Sequence, residues 1–325
     1  MPNTPGYDIL PGIIKIPGVG LGTVSDAVKG TGITALLLPP GSRAAVDVAG
    51  GAPATRETPV LDPANLVPGP DAIILSGGSA LGLQTADGAQ DVLHRNHRGF
   101  AVANVHIPIV VAACIFDLDY GQPQPPTLQD GQQAMEQALM EQTECLVPEG
   151  SAGAGTGATV GKSLGPQFAM KGGQAAISLI TPGGLMVAAL IVVNAMGSIL
   201  AEDGRILAGP RSSDGHPQAT TPALWEQNPG VLTEGESTTI GAIITNGRLS
   251  KAELVRVCRM GHDGLARAID PVHTPWDGDT LFAVSAGDCQ SSPAMVGALA
   301  AHAVSLAIRR AVSLANAETG SQETT

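Results

Sequence analysis

The sequence predicts a layered α/β domain, and three observations support that prediction. Short apolar runs bounded by glycine or proline indicate buried strands. Alanine-rich segments of helical length lie between those runs, as in layered α/β domains. Charged residues make up only 14% of the 325 residues. Since typical soluble domains contain about 25%, this low fraction predicts a large buried core.

Taken in order, the clearest predicted strands are the apolar runs 33–38, 72–75, 185–193, 240–245 and 281–285. Their apolar residues are continuous rather than alternating, so both faces of each sheet are predicted to be covered. The predicted helices are 84–96, 131–142, 250–269 and 293–317. Ser250, followed three residues later by Glu253, forms a capping box where the third helix begins. Two polar stretches rich in glycine or proline, 120–127 and 202–235, are predicted linkers.

The charge balance argues against nucleic acid and anionic membranes as partners. There are 17 basic and 29 acidic residues, a net charge of −12, and the longest basic run is Arg309-Arg310. The longest apolar run, 185–193, is far shorter than the roughly 20 residues that span a bilayer. No signal-peptide pattern is visible, and the four scattered cysteines form no CxxC pair. We therefore expect a soluble cytoplasmic protein with buried free cysteines.

Nucleotide and metal sites are not predicted. Residues 155–163, GTGATVGKS, resemble a phosphate-binding loop, but Thr156 occupies the position of its first glycine. This glycine-rich turn is instead expected to carry Lys162 into a site. No histidine pair has metal-ligand spacing beside a carboxylate, so His262, His273 and His302 are expected to be core or surface residues. We expect neither a metal nor an organic cofactor.

Two segments near the C-terminus concentrate hydroxyl and carboxylate groups just before predicted strands. Residues 234–246, EGESTTIGAIITN, place Thr238 at a loop-to-strand junction. Residues 273–283, HTPWDGDTLFA, place Asp277 and Asp279 on either side of one glycine. Residues two apart on an extended backbone face the same way, so both carboxylates are expected to converge on one hydroxyl or ammonium group. Spacing alone leaves a plainer alternative open, in which the threonines fill a strand and Asp-Gly-Asp is a turn.

Six ordered blocks lie between residues 45 and 283, namely AVDVAGGAPATRETPVLDP (45–63), LSGGSALGL (75–83), IVVAACIFDL (109–118), GAGTGATVGK (153–162), STTIGAIITN (237–246) and HTPWDGDTLFA (273–283). They belong to a similarity, distributed over residues 8–315, by which the chain resembles the P1 family of self-processing peptidases. This family contains D-aminopeptidases and D-amidases, β-peptidyl aminopeptidases and 6-aminohexanoate-oligomer (nylon) hydrolases.

The resemblance implies an αββα sandwich of the N-terminal-nucleophile-hydrolase type, with connectivity specific to the family. It further implies a single domain, 1–325, that cuts itself into chains 1–237 and 238–325. Thr238 would then be the N-terminal nucleophile. The family usually has Asn or Gly before the nucleophile, whereas this chain has Ser237. That departure predicts cleavage that is slow or displaced by one residue.

The remaining site residues follow from the same motifs. Lys162 matches the family's site lysine, and Asn194 matches the asparagine associated with the oxyanion. Asp277 and Asp279 match a pair that is Asp-x-Asp in the nylon-hydrolase branch and Ser-x-Glu in the β-peptidyl branch. The sequence therefore resembles the nylon-hydrolase branch more closely.

Elementary chemistry is consistent with these roles. An N-terminal threonine supplies a hydroxyl and its own α-amine, whose pKa is about 7.7, as a base. Lys162 would keep that amine neutral by like-charge repulsion and would stabilise negative charge. Asn194 would donate to the tetrahedral oxyanion. Asp277 and Asp279 would orient hydroxyl and ammonium groups. They would either favour substrates with a remote free amine or be wholly occupied by Thr238 and Lys162, and both alternatives stay open.

These observations predict an autoprocessed N-terminal-threonine amidohydrolase or aminopeptidase. Its substrates would be small amides such as 6-aminohexanoate oligomers or N-terminally free peptides. A homo-oligomer is expected, a tetramer of processed heterodimers, with helix 293–317 as the candidate interface. Two alternatives remain open, namely an acyl transferase similar to ornithine acetyltransferase and an unprocessed binding protein of the same fold. Acylation of an added amine would favour the first, and a persistent intact chain would favour the second.

Overall fold

The computed structural model describes residues 6–140, 144–227 and 237–322. Its strands, in chain order, are β1 Asp8–Pro11, β2 Ile13–Ile14, β3 Gly20–Asp26, β4 Thr31–Leu37, β5 Arg43–Val48, β6 Ala54–Arg56, β7 Ala72–Ser76, β8 Phe100–Val102, β9 Val105–Ile107, β10 Val110–Cys114, β11 Cys145–Leu146, β12 Thr159–Val160, β13 Met170–Lys171, β14 Gly173–Ile180, β15 Met186–Asn194, β16 Ser198–Leu200, β17 Ile206–Ala208, β18 Thr238–Gly247, β19 Ile269–Asp270 and β20 Thr280–Cys289. The helices are α1 Thr85–Arg95, α2 Leu128–Leu139, α3 Pro222–Gln227, α4 Lys251–Ala266 and α5 Pro293–Gln322.

Two large sheets form the centre of the fold. The first has six strands in the order β1-β14-β15-β18-β20-β5, and the second has five in the order β3-β4-β7-β10-β6. Neighbouring strands are antiparallel except for β18 with β20 in the first sheet and β7 with β10 in the second. Strands β15, β18 and β20 of the first sheet contain all or nearly all of the apolar runs 185–193, 240–245 and 281–285, and β4 and β7 of the second sheet likewise contain the runs 33–38 and 72–75.

Three apolar layers define the sandwich. The middle layer lies between the sheets and includes Leu36 and Ile73 from one sheet and Leu190 and Phe282 from the other. A second layer joins the outer face of the six-stranded sheet to α4 and α5, and a third joins the outer face of the five-stranded sheet to α1 and α2. Each sheet is therefore covered on both faces. This arrangement explains the continuous apolar runs and confirms the predicted αββα architecture.

The predicted strands and main helices are present, with boundaries shifted by a few residues. The capping box at the start of α4 is formed, because the Ser250 hydroxyl accepts the N–H of Glu253 and the Glu253 carboxylate accepts the N–H of Ser250. The linker prediction for 202–235 is only partly right, since β17 and α3 lie inside it. Residues 228–235 of that stretch lie outside the described residues. Elements as short as β17 and α3 have too weak a sequence signal to be distinguished from a loop.

Helix α5 is a core helix within the single chain, and its expected role as an interface between subunits stays a prediction. Its apolar residues pack against the outer face of the six-stranded sheet and against α4, so most of that surface is already covered within one chain. The segment Pro293–Glu318 is also long and apolar enough to cross a membrane by length and composition. However, 67% of its most apolar window is buried inside the protein, as in core helices generally.

Candidate active site

The six-stranded sheet brings three strand ends together at one edge. Strands β18 and β20 are parallel, so both begin at this edge, whereas the antiparallel β15 ends there. Thr238, the first residue of β18, is the cross-strand partner of Asn194, the last residue of β15. Asp277 and Asp279 come just before β20 at the same edge. Sheet topology therefore gathers residues that lie far apart in the sequence.

The peptide bond between Ser237 and Thr238 is buried, and its carbonyl oxygen accepts two hydrogen bonds. Ser237 is fully buried and Thr238 is 3% exposed. The carbonyl oxygen of Ser237 accepts the backbone N–H of Gly278 at 2.9 Å. The hydroxyl of Thr238 donates to the same carbonyl oxygen. A hydroxyl thus lies against a carbonyl group that already receives a hydrogen bond from a backbone amide.

Lys162 and Asn194 form a second part of the site. Lys162 is 3% exposed, and its Nζ donates to Asn194 Oδ1 at 2.9 Å. Oδ1 also accepts the N–H of Thr159, while Nδ2 donates to the carbonyl oxygen of Phe116 at 2.9 Å. We expected Asn194 to donate to an oxyanion. In the structure its Oδ1 accepts a hydrogen bond from the ammonium group of Lys162, and one of its two amide hydrogens is donated to the carbonyl oxygen of Phe116.

The carboxylates of Asp277 and Asp279 do not converge on one group, which corrects the expectation from their spacing. Asp277 accepts hydrogen bonds from the backbone and hydroxyl of Thr274 at 2.9 and 2.6 Å. Asp279 accepts the N–H of Thr239 at 2.7 Å and the ring of His273 at 2.7 Å. Asp277 forms a β-bridge with Ser237 directly after the turn at Pro275 and Trp276, whereas Asp279 lies in the irregular segment before β20, so the two side chains reach different partners.

Burial and the neighbouring charge of Asp279 set the electrostatics of Asp277. Burial raises the pKa of Asp277, and the negative charge of Asp279 raises it further, while hydrogen bonds from Thr274 oppose the shift. Asp117, close enough to feel the charge of Lys162, has a pKa raised to about 6, mainly by burial. The carboxyl groups of Asp277 and Asp117 therefore become protonated at a higher pH than that of a solvated aspartate.

His273 is a site residue that the sequence reasoning missed. Both its Nδ1 and its backbone N–H contact Oδ2 of Asp279, at 2.7 and 3.1 Å. Its ring packs edge-to-face on His262, with centroids 4.7 Å apart, and His262 Nε2 reaches the carbonyl oxygen of Asp47 at 3.2 Å. Its backbone has a φ of 57°. A lone histidine in a turn has no periodicity, and only its place in the HTPWDGD block marked it.

We expect His273 to act by positioning the carboxylate of Asp279. His273→Asn keeps a donor at the δ position and tolerates positive φ, so processing and turnover should stay close to wild type. His273→Gly also tolerates positive φ but has no donor, so its rates should fall about 10-fold, the scale of one charge-assisted hydrogen bond. Rates of processing and turnover measure both effects. Equal rates for the two variants would contradict the positioning role.

Gly278 is the second residue that was not singled out, and the structure shows why it is small. A Cβ at this position would lie 2.7 Å from Ala52 O and 2.9 Å from Thr238 Oγ1. The loop of residues 49–52 packs just as closely against the backbone of Asp277, since a Cβ on Gly50 would lie 2.2 Å from the carbonyl oxygen of Asp277. Backbone donors from residues 49–52 hold the Asp-Gly-Asp segment in place, including the N–H of Ala52, which donates to the carbonyl oxygen of Asp277 at 2.9 Å.

Gly278→Ala is therefore expected to displace the hydroxyl of Thr238 and to slow its chemistry about 100-fold, the usual cost of misplacing a reacting group by about 1 Å. The rate of chain cleavage and the turnover of an amide substrate measure the effect. Gly183→Ala is the matched control, because its Cβ would meet only Thr181 Oγ1, at 3.9 Å. A Gly278→Ala variant as fast as this control would show that the close contact is not required.

Within the described part of the chain, no three histidine, cysteine, aspartate or glutamate side chains are grouped as metal ligands. The residues at the site are instead a hydroxyl, an ammonium group, an amide and two carboxylates. That set can supply a nucleophile, a positive charge and hydrogen-bond donors, which are the groups needed for acyl transfer.

Comparison with known proteins gives the family. The model of peptidase family S58 matches residues 12–325. The chain belongs to peptidase family S58. An uncharacterized aminopeptidase of Mycobacterium leprae is 39% identical over 271 residues, which cover 80% of this chain and 72% of the relative. A 6-aminohexanoate-oligomer endohydrolase of Paenarthrobacter ureafaciens is 33% identical over 280 residues, covering 83% of this chain and 73% of that enzyme.

Solved structures agree on the fold of this S58 member. A β-aminopeptidase of a Burkholderia species superposes with a TM-score of 0.62 at 20% identity, covering 91% of this chain and 84% of the other. The L-aminopeptidase D-Ala-esterase/amidase of Ochrobactrum anthropi, described as a variant of the Ntn hydrolase fold, gives 0.60 at 17% identity, covering 94% and 83%. The predicted family and fold are confirmed, and the chain is a hydrolase of amide bonds.

Proposed function

We propose that this S58 peptidase is an autoprocessed N-terminal-threonine amidohydrolase whose nucleophile is Thr238. The observation that carries the proposal is the position of the Thr238 hydroxyl against the carbonyl group of Ser237, which also accepts the N–H of Gly278. A nucleophile next to a polarised, buried carbonyl group is the arrangement that a self-cleaving peptide bond requires.

Self-cleavage proceeds by acyl shift and hydrolysis. Thr238 Oγ1 attacks the carbonyl carbon of Ser237, and the N–H of Gly278 stabilises the oxyanion that forms. The bond from that carbon to the nitrogen of Thr238 breaks, and the nitrogen takes the proton that the hydroxyl loses. Water then hydrolyses the resulting ester, which releases a carboxylate on Ser237 and a free hydroxyl and amine on Thr238. The products are chains 1–237 and 238–325.

Turnover repeats the same chemistry on an external amide. The free α-amine of Thr238 accepts the proton of its own hydroxyl as that hydroxyl attacks the substrate carbonyl carbon. Lys162 keeps the amine neutral by charge repulsion and stabilises negative charge in the tetrahedral intermediate. The amine then gives its proton to the leaving nitrogen. Water completes the cycle by hydrolysing the acyl-enzyme.

Asn194, Asp277 and Asp279 hold this arrangement together. Asn194 fixes the ammonium group of Lys162 through the 2.9 Å contact with Nζ. Asp279 holds the backbone directly after the nucleophile through the N–H of Thr239. Asp277 fixes the segment from which the N–H of Gly278 reaches the carbonyl oxygen of Ser237. Asp277 and Ser237 also form a β-bridge. The substrates we propose are small amides such as 6-aminohexanoate oligomers and N-terminally free peptides, by analogy with the named relatives.

The proposal is tested by incubating purified protein with linear 6-aminohexanoate trimer and with alanine amide. Mass spectrometry should detect free acid and released amine from at least one substrate, and Thr238→Ala should produce neither. Adding a competing amine separates hydrolysis from acyl transfer, because a transferase would form mainly the acylated amine. Failure of the wild type to cleave any amide, although its chain is processed, would contradict the proposed function.

A further inference from the structure

A cleft of about 410 Å³ opens beside the proposed site. Thr159 forms part of its wall, and the N–H of Thr159 donates to Asn194 Oδ1 at 2.9 Å. Lys171 lies opposite Thr159 as its cross-strand partner in the β12–β13 ribbon and also lines the cleft. One hydrogen bond therefore joins the wall of the cleft to Asn194, which in turn accepts a hydrogen bond from Lys162.

Lys171 is a buried cation at the wall of this cleft. It is 7% exposed, its Nζ donates to the carbonyl oxygen of Thr156 at 2.8 Å, and it lies 4.0 Å from the centre of the Tyr120 ring. Among the described residues, no carboxylate oxygen lies within 4.0 Å of it. Burial lowers its pKa to about 8. Burying an ammonium group without an anion in direct contact costs folding free energy, so such groups are unusual in proteins. A ligand that brings an anionic group would supply the missing partner.

The nearest acidic groups have other partners. Asp117 and Glu318 raise the pKa of Lys171 through their charges. Asp117 accepts hydrogen bonds from the Thr31 hydroxyl and the Gly78 N–H, both at 2.7 Å. Glu318 accepts the N–H of Ser151 at 3.2 Å. These carboxylates reduce the cost of burying Lys171 but do not neutralise it by direct contact.

A second cation lines the same cleft. Arg211 is exposed, and its guanidinium contacts the backbone carbonyl oxygen of Gln167 at 3.4 Å. The described lining contains no aspartate or glutamate, and Tyr120, Pro166, Ala169 and Met170 supply apolar surface. The cleft therefore combines two cations with a hydrocarbon wall, which suits an alkyl chain that ends in a carboxylate.

We infer that this cationic cleft, defined by Lys171, Arg211 and Tyr120, binds the free carboxylate end of the amide substrate. The inference rests on the proposed function, because it treats the neighbouring site as the place where the amide is cleaved. The cationic cleft would select substrates that carry a terminal carboxylate on the far side of an apolar chain, such as linear ω-amino-acid oligomers.

The test compares 6-aminohexanoate dimer with the same dimer whose carboxyl end is a primary amide. Wild type should have a kcat/KM at least about 10-fold higher for the free acid, the scale of one hydrogen bond to a charged group. Lys171→Met and Arg211→Gln should remove that preference, mainly by raising KM for the acid. Lys15→Met is the matched control, since Lys15 pairs with Glu144 at the surface. Arg211→Gln keeps the test valid if the buried Lys171→Met does not fold.

A second readout separates the cleft from the catalytic proposal. Binding of hexanoate and of 1-hexanol to wild type needs no turnover, and hexanoate should bind at least about 10-fold more tightly. Tighter hexanoate binding without any amide turnover would support the cleft and contradict the proposed function. Equal hydrolysis of acid and amide, together with equal binding of hexanoate and hexanol, would overturn the cleft and leave the proposed function standing.

Discussion

Thr238→Ala is expected to remain a single chain of 325 residues and to have no amide hydrolase activity. The same hydroxyl attacks the Ser237 carbonyl group in cleavage and the substrate in turnover, so its removal stops both. The fold should persist, because alanine fits the space of a buried threonine that contacts the backbone of its neighbour. Gel electrophoresis over several days and an amide assay measure the two outcomes.

The neighbours of Thr238 provide matched controls. The side-chain hydroxyls of Ser237 and Thr239 are buried and have no hydrogen-bond partner among the described residues. Ser237→Ala and Thr239→Val should therefore cleave and turn over nearly as wild type does. Loss of cleavage in Thr239→Val, with normal cleavage in Thr238→Ala, would move the nucleophile by one residue.

Lys162→Met is expected to reduce turnover at least about 100-fold, the usual loss when one electrostatic contact to a transition state is removed. Methionine preserves the length of the side chain but carries no charge. It therefore cannot donate to Asn194 Oδ1, stabilise an oxyanion or keep the α-amine of Thr238 neutral. Steady-state kinetics measures the loss, and a thermal melt checks the fold.

The surface variant Lys15→Met is again the control, and its turnover should be unchanged. An active Lys162→Met enzyme would contradict the role of the ammonium group. Binding of ATP by wild type that disappears in Lys162→Met would instead revive the phosphate-loop interpretation of residues 155–163.

Much of the fold was predictable because continuous apolar runs indicate buried strands and capping residues mark where helices begin. The apolar run 185–193 became β15, and Ser250 with Glu253 marked the start of α4. The proposed site residues were identified from motif blocks, and the topology explains why they meet. Adjacent parallel and antiparallel strands bring their termini to one sheet edge, so residues at strand ends become neighbours.

Other features depend on contacts that no sequence pattern encodes. Gly278 contributes a backbone N–H, which is the same group in any residue but proline. Asn194 holds Lys162 because Oδ1 meets an ammonium group and Nδ2 meets the Phe116 carbonyl oxygen. The hydrogen-bond partners of Asp277 depend on the conformation of the turn before β20. Lys171 is buried, although its charged side chain would be expected at the surface. Tertiary packing decides all four.

The intact mass and N-terminal sequence of the purified protein test the central claim most directly. We predict a fragment that begins at Thr238 and contains 88 of the 325 residues, or about 9 of the chain's 32.7 kDa. A fragment that begins at Ser237 or Thr239 would refute Thr238 as the nucleophile. A chain that stays intact while it hydrolyses amides would contradict the claim that catalysis depends on a threonine released by self-cleavage.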